Sequence, residues 1–238
     1  MKAYIADTET TGHFEEQQQP EIIELAHAPL LDDFSLGEMF SDRYQPERNA
    51  ISFGAMAVHH IIPADLAGCQ PSSKARMPED CSYLIGHNID HDWKALGSPP
   101  LVKRICTLAM ARRVWEDSPG HSLGACIYRI LPFDVAREHV RYAHSAAADV
   151  RMTHLLLRHF LALPGNEGDQ HSLEDLWHWS ENCRIPRIWS FGKHRGKRIG
   201  HELGDGVPDR EYHAWCAKQM EMDPYVRKAL EMYKQGAL

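Results

Sequence analysis

Residues 2–10 have the sequence KAYIADTET, in which an apolar stretch is followed by two acidic residues. Its first six residues form an apolar run typical of a buried strand that ends at Asp7. Glu9 follows two residues later, and side chains at positions i and i+2 of an extended chain point to the same side. Two such carboxylates repel each other unless a cation lies between them, and hard oxygen ligands suit Mg²⁺ or Mn²⁺. Two solvated acids at a strand end would give the same pattern.

Two further acidic segments follow along the chain. Residues 87–92, HNIDHD, come directly after a short apolar strand at 83–85. An acid at this place also favours the dipole of a following helix, so simple capping would explain it. His144 precedes Asp149 by five residues, and Ser145 between them is a plausible N-cap for a helix that runs to about residue 161. An imidazole then lies beside a carboxylate, although an unrelated surface histidine and aspartate would fit the spacing equally well.

The combination of these signals predicts one chemistry more specifically than each signal alone. Hydrolysis of a phosphodiester by two metal ions needs clustered carboxylates that hold the ions about 3.5–4 Å apart. It also needs a base that titrates near neutral pH to take the proton of the attacking water, and histidine is the natural choice. The candidate base in this sequence is His144.

Strands and helices alternate along the first two thirds of the chain, which predicts an α/β layered fold. The predicted strands are 2–7, 21–31, 36–45, 83–85 and 104–106, and the predicted helices are 51–58, 63–67, 90–96, 107–115, 122–130 and 145–161. Residues 68–80 are expected to form a loop. Residues 163–170, LPGNEGDQ, break the pattern and are interpreted as a linker. We therefore expect a catalytic domain at 1–162 and a small basic and aromatic C-terminal domain at 171–238, with helices near 177–179, 209–220 and 224–233.

The composition is that of an ordinary soluble globular protein, with 238 residues of which 43% are apolar and 25% charged. The apolar runs are much shorter than the roughly 20 residues of a membrane helix. The N-terminus leads directly to acidic residues and does not resemble a secretory signal, so a cytoplasmic location is expected. The six cysteines form no Cys-x-x-Cys pair and are expected to be free thiols.

The charge is unevenly distributed. The net charge of −7 argues weakly against a nucleic-acid-binding protein, but residues 184–198 contain six Lys or Arg and no Asp or Glu. The candidate phosphate-contacting residues are Lys193, Arg195, Lys197 and Arg198. A solvated basic face is the alternative, with Trp189 and Phe191 as the core of a small module beneath it. Three other tryptophans are expected to lie in the core: Trp177, Trp179 and Trp215.

The acidic motifs, in this order, resemble those of the DEDDh family of 3′→5′ exonucleases. The resemblance implies a ribonuclease H-like fold, with a five-stranded mixed sheet flanked by helices. It also implies two Mg²⁺ ions per site, which Mn²⁺ can replace, with His144 as general base and Glu9 as a further catalytic residue. The implied metal ligands are Asp7, Glu9, Asp92 and Asp149. One position departs from the family pattern, because His91 stands where an aromatic residue is usual, and Asp90 is a rival to Asp92.

The resemblance further implies a set of substrate contacts around a DNA 3′ end. The implied contacts are Thr8, Thr10, Thr11, Gly12, Met56, His59, His87 and Asn88. The loop after the first two ligands would lie under the terminal sugar, and an ordinary turn is the alternative. Met56 and His59 would contact the last base, or else lie in the core and at the surface respectively.

The expected products are nucleoside 5′-monophosphates. DNA is favoured over RNA because residues 56–59, 105–107 and 191–197 resemble a DNA-degrading member of the family. An exoribonuclease and a non-catalytic nucleic-acid-binding protein are the alternatives, and the presence of all four carboxylates and the histidine argues against the second. A membrane partner is not expected, and the sequence leaves protein partners open.

Overall fold

The sheet of the protein contains six strands in the order β4-β3-β2-β1-β5-β6. In this computed structural model, which describes residues 2–13, 19–163, 172–219 and 221–236, the strands are β1 (Lys2–Thr10), β2 (Ile22–Leu30), β3 (Phe40–Gln45), β4 (Gln70–Pro71), β5 (Cys81–Gly86) and β6 (Lys103–Cys106). The pairs β1–β2 and β2–β3 are antiparallel, whereas β1–β5, β5–β6 and β3–β4 are parallel. The predicted mixed α/β fold is confirmed, with six strands instead of five.

The additional strand, β4, lies within the segment 68–80 that was expected to be a loop. Its two residues pair with Tyr44 and Gln45 at the edge of the sheet. Two residues are too short for a period-2 pattern, and the surrounding Pro and Ser residues favour a loop. The extension therefore depends on pairing with β3, which no local pattern reveals.

Strand β1 lies at the centre of the sheet between β2 and β5 and continues three residues beyond its predicted end at Asp7. Residues 8–10 are polar, so the apolar pattern stops before the strand does. Their pairing with β2 continues nevertheless, with Thr8 opposite Leu25 and Glu9 opposite Glu24. Asp7 and Glu9 are consequently held by their pairing with β2, and not by a free loop.

The helices of the first part of the chain agree with most of the predicted ranges. They are α1 (Phe53–His59), α2 (Asp90–Ala95), α3 (Thr107–Val114), α4 (Leu123–Ile130), α5 (Phe133–Val140) and α6 (Ala146–Leu161), with 3₁₀ turns at Pro63–Leu66 and Ser72–Lys74. Helix α5 was not predicted, although Phe133, Ala136 and Val140 have the spacing of one helical face; only Ala136 of its eight residues is buried. No helix within the described ranges is long and apolar enough to cross a membrane.

Helix α6 packs on β1 and β2. Its buried residues Val150, Leu157 and Phe160 recur at the spacing of one helical face. This packing fixes the helix that carries Asp149 against the strand that carries Asp7 and Glu9 and the strand that carries Glu24.

The chain divides into two compact units, Met1–Ser180 and Glu181–Leu238. The second unit contains α8 (Arg210–Lys218) and α9 (Pro224–Lys234), while α7 (Leu173–Arg184) extends across the division. A small core of its own holds the second unit together, and its members are Ile185, Trp189, Ile199, Tyr212, Cys216, Val226, Ala229 and Leu230. Gly200 has a φ of 88°, and a Cβ there would lie 2.0 Å from a ring carbon of Tyr233, so only glycine fits.

The division falls at Glu181 and not at the expected position 171. The beginning of α7 belongs to the first unit, because Glu174 accepts hydrogen bonds from the Lys103 ammonium (2.6 Å) and the Tyr83 hydroxyl (2.6 Å). The Ser180 hydroxyl likewise accepts a hydrogen bond from the backbone N–H of Cys106 at 2.8 Å. The expected linker 163–170 lies outside the described residues, apart from Leu163.

The three tryptophans expected in the core are placed differently. Trp215 is 53% exposed, so the expectation for this residue is wrong. Trp177 and Trp179 are half-buried. The Trp177 ring lies 4.2 Å below the Lys103 ammonium, and the Trp179 ring meets the edge of Phe160. Apolar composition alone does not distinguish such partly covered rings from core residues.

Candidate active site

Asp7 and Glu9 lie on one face of β1, as the alternation of side chains along a strand requires. Both side chains are half-buried, and the residue directly opposite Glu9 on β2 is another acid, Glu24. Three carboxylates therefore converge on one part of the sheet. Like charges this close destabilise one another unless a proton or a cation intervenes.

Asp92 joins this group from the first turn of α2 and is only 4% exposed. Its Oδ1 accepts two hydrogen bonds from Thr8, one from the backbone N–H at 2.9 Å and one from the hydroxyl at 2.7 Å. The rival residue Asp90 turns away and pairs with Arg104 at 2.7 Å. The structure thus places Asp92, and not Asp90, beside β1. It also uses the hydroxyl of Thr8, an expected substrate contact, to hold Asp92.

His144 and Asp149 complete the group at the beginning of α6. The backbone N–H of His144 donates a hydrogen bond to Asp149 Oδ1 at 3.3 Å, and His144 has a φ of 66°, in the left-handed region. Three residues, Glu9, His144 and Asp149, each offer one potential ligand atom, and these three atoms lie within 4.8 Å of one another. Unlike the carboxylates, the His144 side chain is exposed, so a substrate or a water molecule can reach it.

The N-terminus of α6 is not capped as the sequence suggested. The Ser145 side chain makes no capping hydrogen bond. Instead Glu24, which is 6% exposed, accepts the backbone N–H of Ala146 through Oε2 at 2.9 Å. The other oxygen, Oε1, accepts a hydrogen bond from Arg43 Nε at 3.0 Å. Glu24 therefore joins β2, β3 and the start of α6, directly beside Asp149 and His144.

Sequence reasoning missed Glu24, although a signal was present. A glutamate in the middle of the apolar strand IIELAHAPL is unusual, because a charged residue is seldom buried without a partner. Its partner Arg43 is nineteen positions away, and its contact with α6 spans 122 positions. Such long-range contacts leave no local pattern in the sequence.

Burial and mutual repulsion raise the pKa of four carboxyl groups: Asp7, Glu9, Asp92 and Asp149. Burial raises the pKa of Glu9 to about 8, with Asp149 and Glu24 adding to the effect. Burial raises the pKa of Asp92 to about 7 against the opposing hydrogen bonds from Thr8, and that of Asp149 to about 6. Asp7 shifts in the same direction, first through burial and then through Asp92 and its other acidic neighbours.

These donor groups fit a divalent cation. They are hard oxygen ligands, they are clustered, and their charges oppose one another in its absence. A cation held by Asp7, Glu9, Asp92 and Asp149 would remove the repulsion and restore the charged forms. Strongly shifted acids that converge in this way are a common property of functional sites.

The raised pKa values predict that metal-free protein loses stability as the pH rises. Each folded-state pKa lies above the roughly 4 of an unfolded carboxyl group, so the folded state binds more protons. This contribution to stability is complete below about pH 4 and is lost as the pH passes through 6 to 8. We expect the Tm in EDTA to fall as the pH rises from 5 to 8. We expect about 10 mM MgCl₂, on the order of a saturating excess, to reverse most of this fall in Tm.

Thermal unfolding followed by circular dichroism checks this expectation at each pH with EDTA and with MgCl₂. Glu9→Gln should flatten the pH dependence in EDTA, because it removes one of the shifted groups. Asp90→Asn is the matched control, since Asp90 pairs with Arg104 outside the cluster. An identical pH dependence with and without metal would contradict the assignment of a cation site.

The loop that follows β1 is held by internal hydrogen bonds. The Thr10 hydroxyl donates to the carbonyl of Gly12 at 2.8 Å. Thr11 exchanges hydrogen bonds with Glu21, and its carbonyl accepts the N–H of Ser52 at 2.8 Å. A Cβ on Gly12 would make an ordinary contact with the Ser52 hydroxyl, at 3.4 Å. The loop is thus fixed against the residue before α1.

The structure places Met56 partly inside the protein and His59 fully inside it, so the expectation of His59 at the surface is wrong. Met56 packs against the buried cluster of Ile23, Ile51, Ile61 and Leu66. His59 is buried, and its Nδ1 accepts the N–H of Ile61 at 3.0 Å, so the proton of the neutral ring lies on Nε2. Burial lowers the pKa of His59, while the backbone of Thr10 and the charge of Glu24 oppose this shift. Its ring therefore lies close to the acidic cluster, beneath the surface.

His87 and Asn88 also differ from each other. Both ring nitrogens of His87 have protein partners, the Thr107 hydroxyl at 3.1 Å and the carbonyl of His121 at 2.7 Å. Burial lowers the pKa of His87 to about 4. This arrangement favours a structural role that joins the end of β5 to the start of α3. Asn88 is exposed and has a φ of 71°, which asparagine tolerates better than most residues.

The fold and the site together define a class: an α/β nuclease with a carboxylate cluster suited to divalent metal ions. A family model described as an exonuclease (RNase_T) matches residues 4–157. The chain therefore belongs to this exonuclease family of divalent-metal-dependent enzymes, and the resemblance inferred from the motifs is confirmed at that level. No curated protein sequence matches the chain significantly.

Solved structures show the same fold. Exonuclease X in complex with a 5′-overhanging duplex DNA is 24% identical, with a TM-score of 0.56, and the match covers 75% of this chain and 99% of that chain. Exonuclease I of E. coli in complex with a dA16 oligonucleotide is 14% identical, with a TM-score of 0.55, and the match covers 79% of this chain and 46% of that chain. The chain thus matches nearly all of the first structure and less than half of the second.

Proposed function

We propose that this protein is a 3′→5′ exodeoxyribonuclease that releases nucleoside 5′-monophosphates through two Mg²⁺ ions. The observation that carries the proposal is the close approach of Glu9, His144 and Asp149, whose potential ligand atoms lie within 4.8 Å of one another. The buried Asp92 and the half-buried Asp7 stand beside this group. Family membership supplies the reaction class, and the arrangement supplies the residues for it.

Each residue then has a distinct task. Asp7, Glu9, Asp92 and Asp149 would hold the ions, which when bound stabilise charge on the phosphoryl oxygens and lower the pKa of the attacking water. His144 accepts the proton of that water, for which its exposure and its position beside Asp149 are suited. Thr8 orients Asp92, and Glu24 orients the start of α6. The loop 10–12 supports the terminal sugar.

The choice of DNA as the substrate has separate support. The solved complexes of exonuclease X and exonuclease I contain DNA, and their fold is shared by this chain. Discrimination between DNA and RNA depends on contacts to the 2′-hydroxyl group. A comparison of DNA and RNA of the same sequence is therefore part of the test.

The test uses a single-stranded DNA labelled at its 5′ end, incubated with the full chain in MgCl₂, in MnCl₂ and in EDTA. We expect a ladder of labelled fragments that shorten from the 3′ end with either metal, and no reaction in EDTA. A circular single-stranded DNA is the matched control, because it has no end and should stay intact. Release of a labelled mononucleotide in the first turnover would instead indicate the opposite polarity. Stronger cleavage of RNA than of DNA would overturn the choice of substrate.

A further inference from the structure

The two units differ in the sign of their charge. The unit Met1–Ser180 has fifteen Lys or Arg and twenty-five Asp or Glu, a net charge of −10. The unit Glu181–Leu238 has eleven Lys or Arg and eight Asp or Glu, a net charge of +3. A nucleic acid is a polyanion, so the acidic unit repels it at long range while the second unit attracts it. The second unit is therefore the part of the chain whose charge complements a nucleic acid.

An aromatic side chain stands exposed on this unit. Trp215, on α8, is 53% exposed, and its ring stacks on that of Tyr212 with centroids 5.6 Å apart and an interplanar angle of 22°. Tyr212 in turn meets the buried Trp189, with ring centroids 5.1 Å apart. Trp215 is thus braced from one side by rings that continue into the core. A tryptophan held in this way loses little conformational freedom when a further ring stacks on it.

The turn Gly192–Gly196 brings cations to the same tyrosine. A Cβ on Gly192 would lie 2.0 Å from the Tyr212 hydroxyl, so the turn passes directly over this residue. The Lys193 ammonium lies 5.2 Å from the centre of the Tyr212 ring. The turn itself is fixed, because the N–H of Gly196 donates to the carbonyl of Trp189 at 2.8 Å. A rigid basic turn and an exposed tryptophan therefore border one buried tyrosine.

The basic side chains around the turn differ in how they are engaged. Lys193 pairs with Asp209 at 2.7 Å, and the Lys197 ammonium donates to the carbonyl of Glu202 at 2.8 Å. The exposed Arg195 makes no ion pair within the described ranges, and Arg198 is exposed as well. Three acids lie in the neighbourhood. Asp209 also accepts bonds from His194 and the N–H of Tyr212, the buried Glu202 is bonded to Trp189 and His213, and Glu211 is exposed. Arg195 is accordingly the cation most available to an anionic ligand.

We propose that Trp215, Lys193 and Arg195 form a binding surface for single-stranded DNA, separate from the carboxylate cluster. Trp215 stacks on a base, and the two cations contact neighbouring phosphates. Base stacking on an aromatic ring combined with cations that follow the backbone is the general mode of single-strand binding without sequence preference. The choice of DNA as the strand rests on the proposed function, whereas stacking and charge do not depend on it.

The experiment measures binding of a fluorescein-labelled dT oligonucleotide of about 15 nucleotides to the full chain in EDTA, by fluorescence anisotropy. Since stacking contributes about 1–3 kcal/mol per base, Trp215→Ala should weaken binding by roughly five- to a hundredfold, and Trp215→Phe should restore most of it. Arg195→Gln should reduce the slope of log K against log salt concentration by about 0.7. Lys228→Gln is the charge-matched control, because Lys228 is exposed on α9 and away from the turn in sequence.

The outcomes are separable. The proposal is overturned if Trp215→Ala and the wild type bind the oligonucleotide with equal affinity while circular dichroism shows both proteins to be folded. A second outcome also overturns the proposal. If poly-glutamate of equal charge displaces the oligonucleotide, and Trp215→Phe and Trp215→Ala bind it equally well, the surface binds anions in general. Hydrolysis of the p-nitrophenyl ester of thymidine 5′-monophosphate reports on the nuclease alone. Binding that depends on Trp215 without hydrolysis of this ester would reject the proposed function and keep the binding surface.

Discussion

Replacing Asp7 with asparagine is expected to abolish nuclease activity and, at the same time, to raise the Tm of the metal-free protein. Asp7 lies where the fields of Asp92, Asp149 and Glu9 add to the effect of burial, and all of these raise its pKa. The asparagine keeps the shape of the side chain and removes its charge. Loss of one ligand of a metal pair removes several kcal/mol of transition-state stabilisation, which corresponds to roughly a thousandfold or more in kcat.

The rise in Tm follows from the same repulsion. A site that holds several carboxylates together for the sake of a cation is strained when the cation is absent, so neutralising one member stabilises the fold. For a chain of this size each 1 kcal/mol corresponds to about 2–4 °C in Tm. The measurements are kcat on 5′-labelled DNA in MgCl₂ and thermal unfolding at pH 8 in EDTA.

Asp90→Asn is the matched control for this prediction. Asp90 is two residues from Asp92 and has the same side chain, but it pairs with Arg104. Its replacement should leave the nuclease activity within about threefold of the wild type and lower the Tm slightly, because a surface ion pair contributes up to about 1 kcal/mol. Retention of more than a tenth of the activity by Asp7→Asn would argue against Asp7 as a ligand, and a lower metal-free Tm would argue against the repulsion.

Replacing His144 is expected to lower kcat by about a hundredfold to ten-thousandfold, the usual contribution of a general base. Asparagine is the better replacement, because His144 has a φ of 66° and asparagine tolerates this conformation, whereas alanine adds backbone strain. The imidazole is exposed, so His144→Asn should leave the Tm nearly unchanged. An effect on activity would then report on chemistry and not on folding.

Kinetics on the p-nitrophenyl ester of thymidine 5′-monophosphate and on DNA, at several pH values, check this prediction. A general base predicts a fall in kcat with little change in KM, and a smaller deficit at high pH, where hydroxide is more abundant. His178→Ala is the control, since His178 is exposed on α7 and far from the cluster in sequence. A variant with normal kcat and a raised KM would assign His144 to substrate binding.

The acidic residues were predictable because their signals are local. Asp7 and Glu9 follow an apolar strand, and the alternation of side chains along a strand is enough to place both on one face. The spacing from Asn88 already favours Asp92 over Asp90, but the two hydrogen bonds that hold Asp92 come from Thr8, 84 positions away in the sequence. Local spacing carries no information about such a contact.

Other errors have the same origin. Strand β4 exists only through its pairing with β3, so its two residues have no periodic pattern of their own. Ser145 is a good capping residue by type, but its side chain makes no capping hydrogen bond, and Glu24 instead accepts the N–H of Ala146. Trp215 resembles a core residue by type, and only the packing of Tyr212 beneath it shows that its ring faces outward. In each of these cases tertiary contacts override the local preference.

The position of Glu24 affects which mutations a genetic screen would find and which segments of the chain can be exchanged with relatives. Glu24 has no role as metal ligand or base in the proposed reaction, yet it fixes the start of α6 from a strand 122 positions earlier in the chain. A change at this codon would displace Asp149 and His144 together, and a genetic screen for loss of function would group it with the ligands themselves. Loss-of-function mutations are therefore expected at more positions than those of the reacting residues. Strand β2, which carries Glu24, and the start of α6, which carries Ala146, form this contact together. In chimaeras with related proteins, we expect the fold to be retained only when both segments come from the same parent.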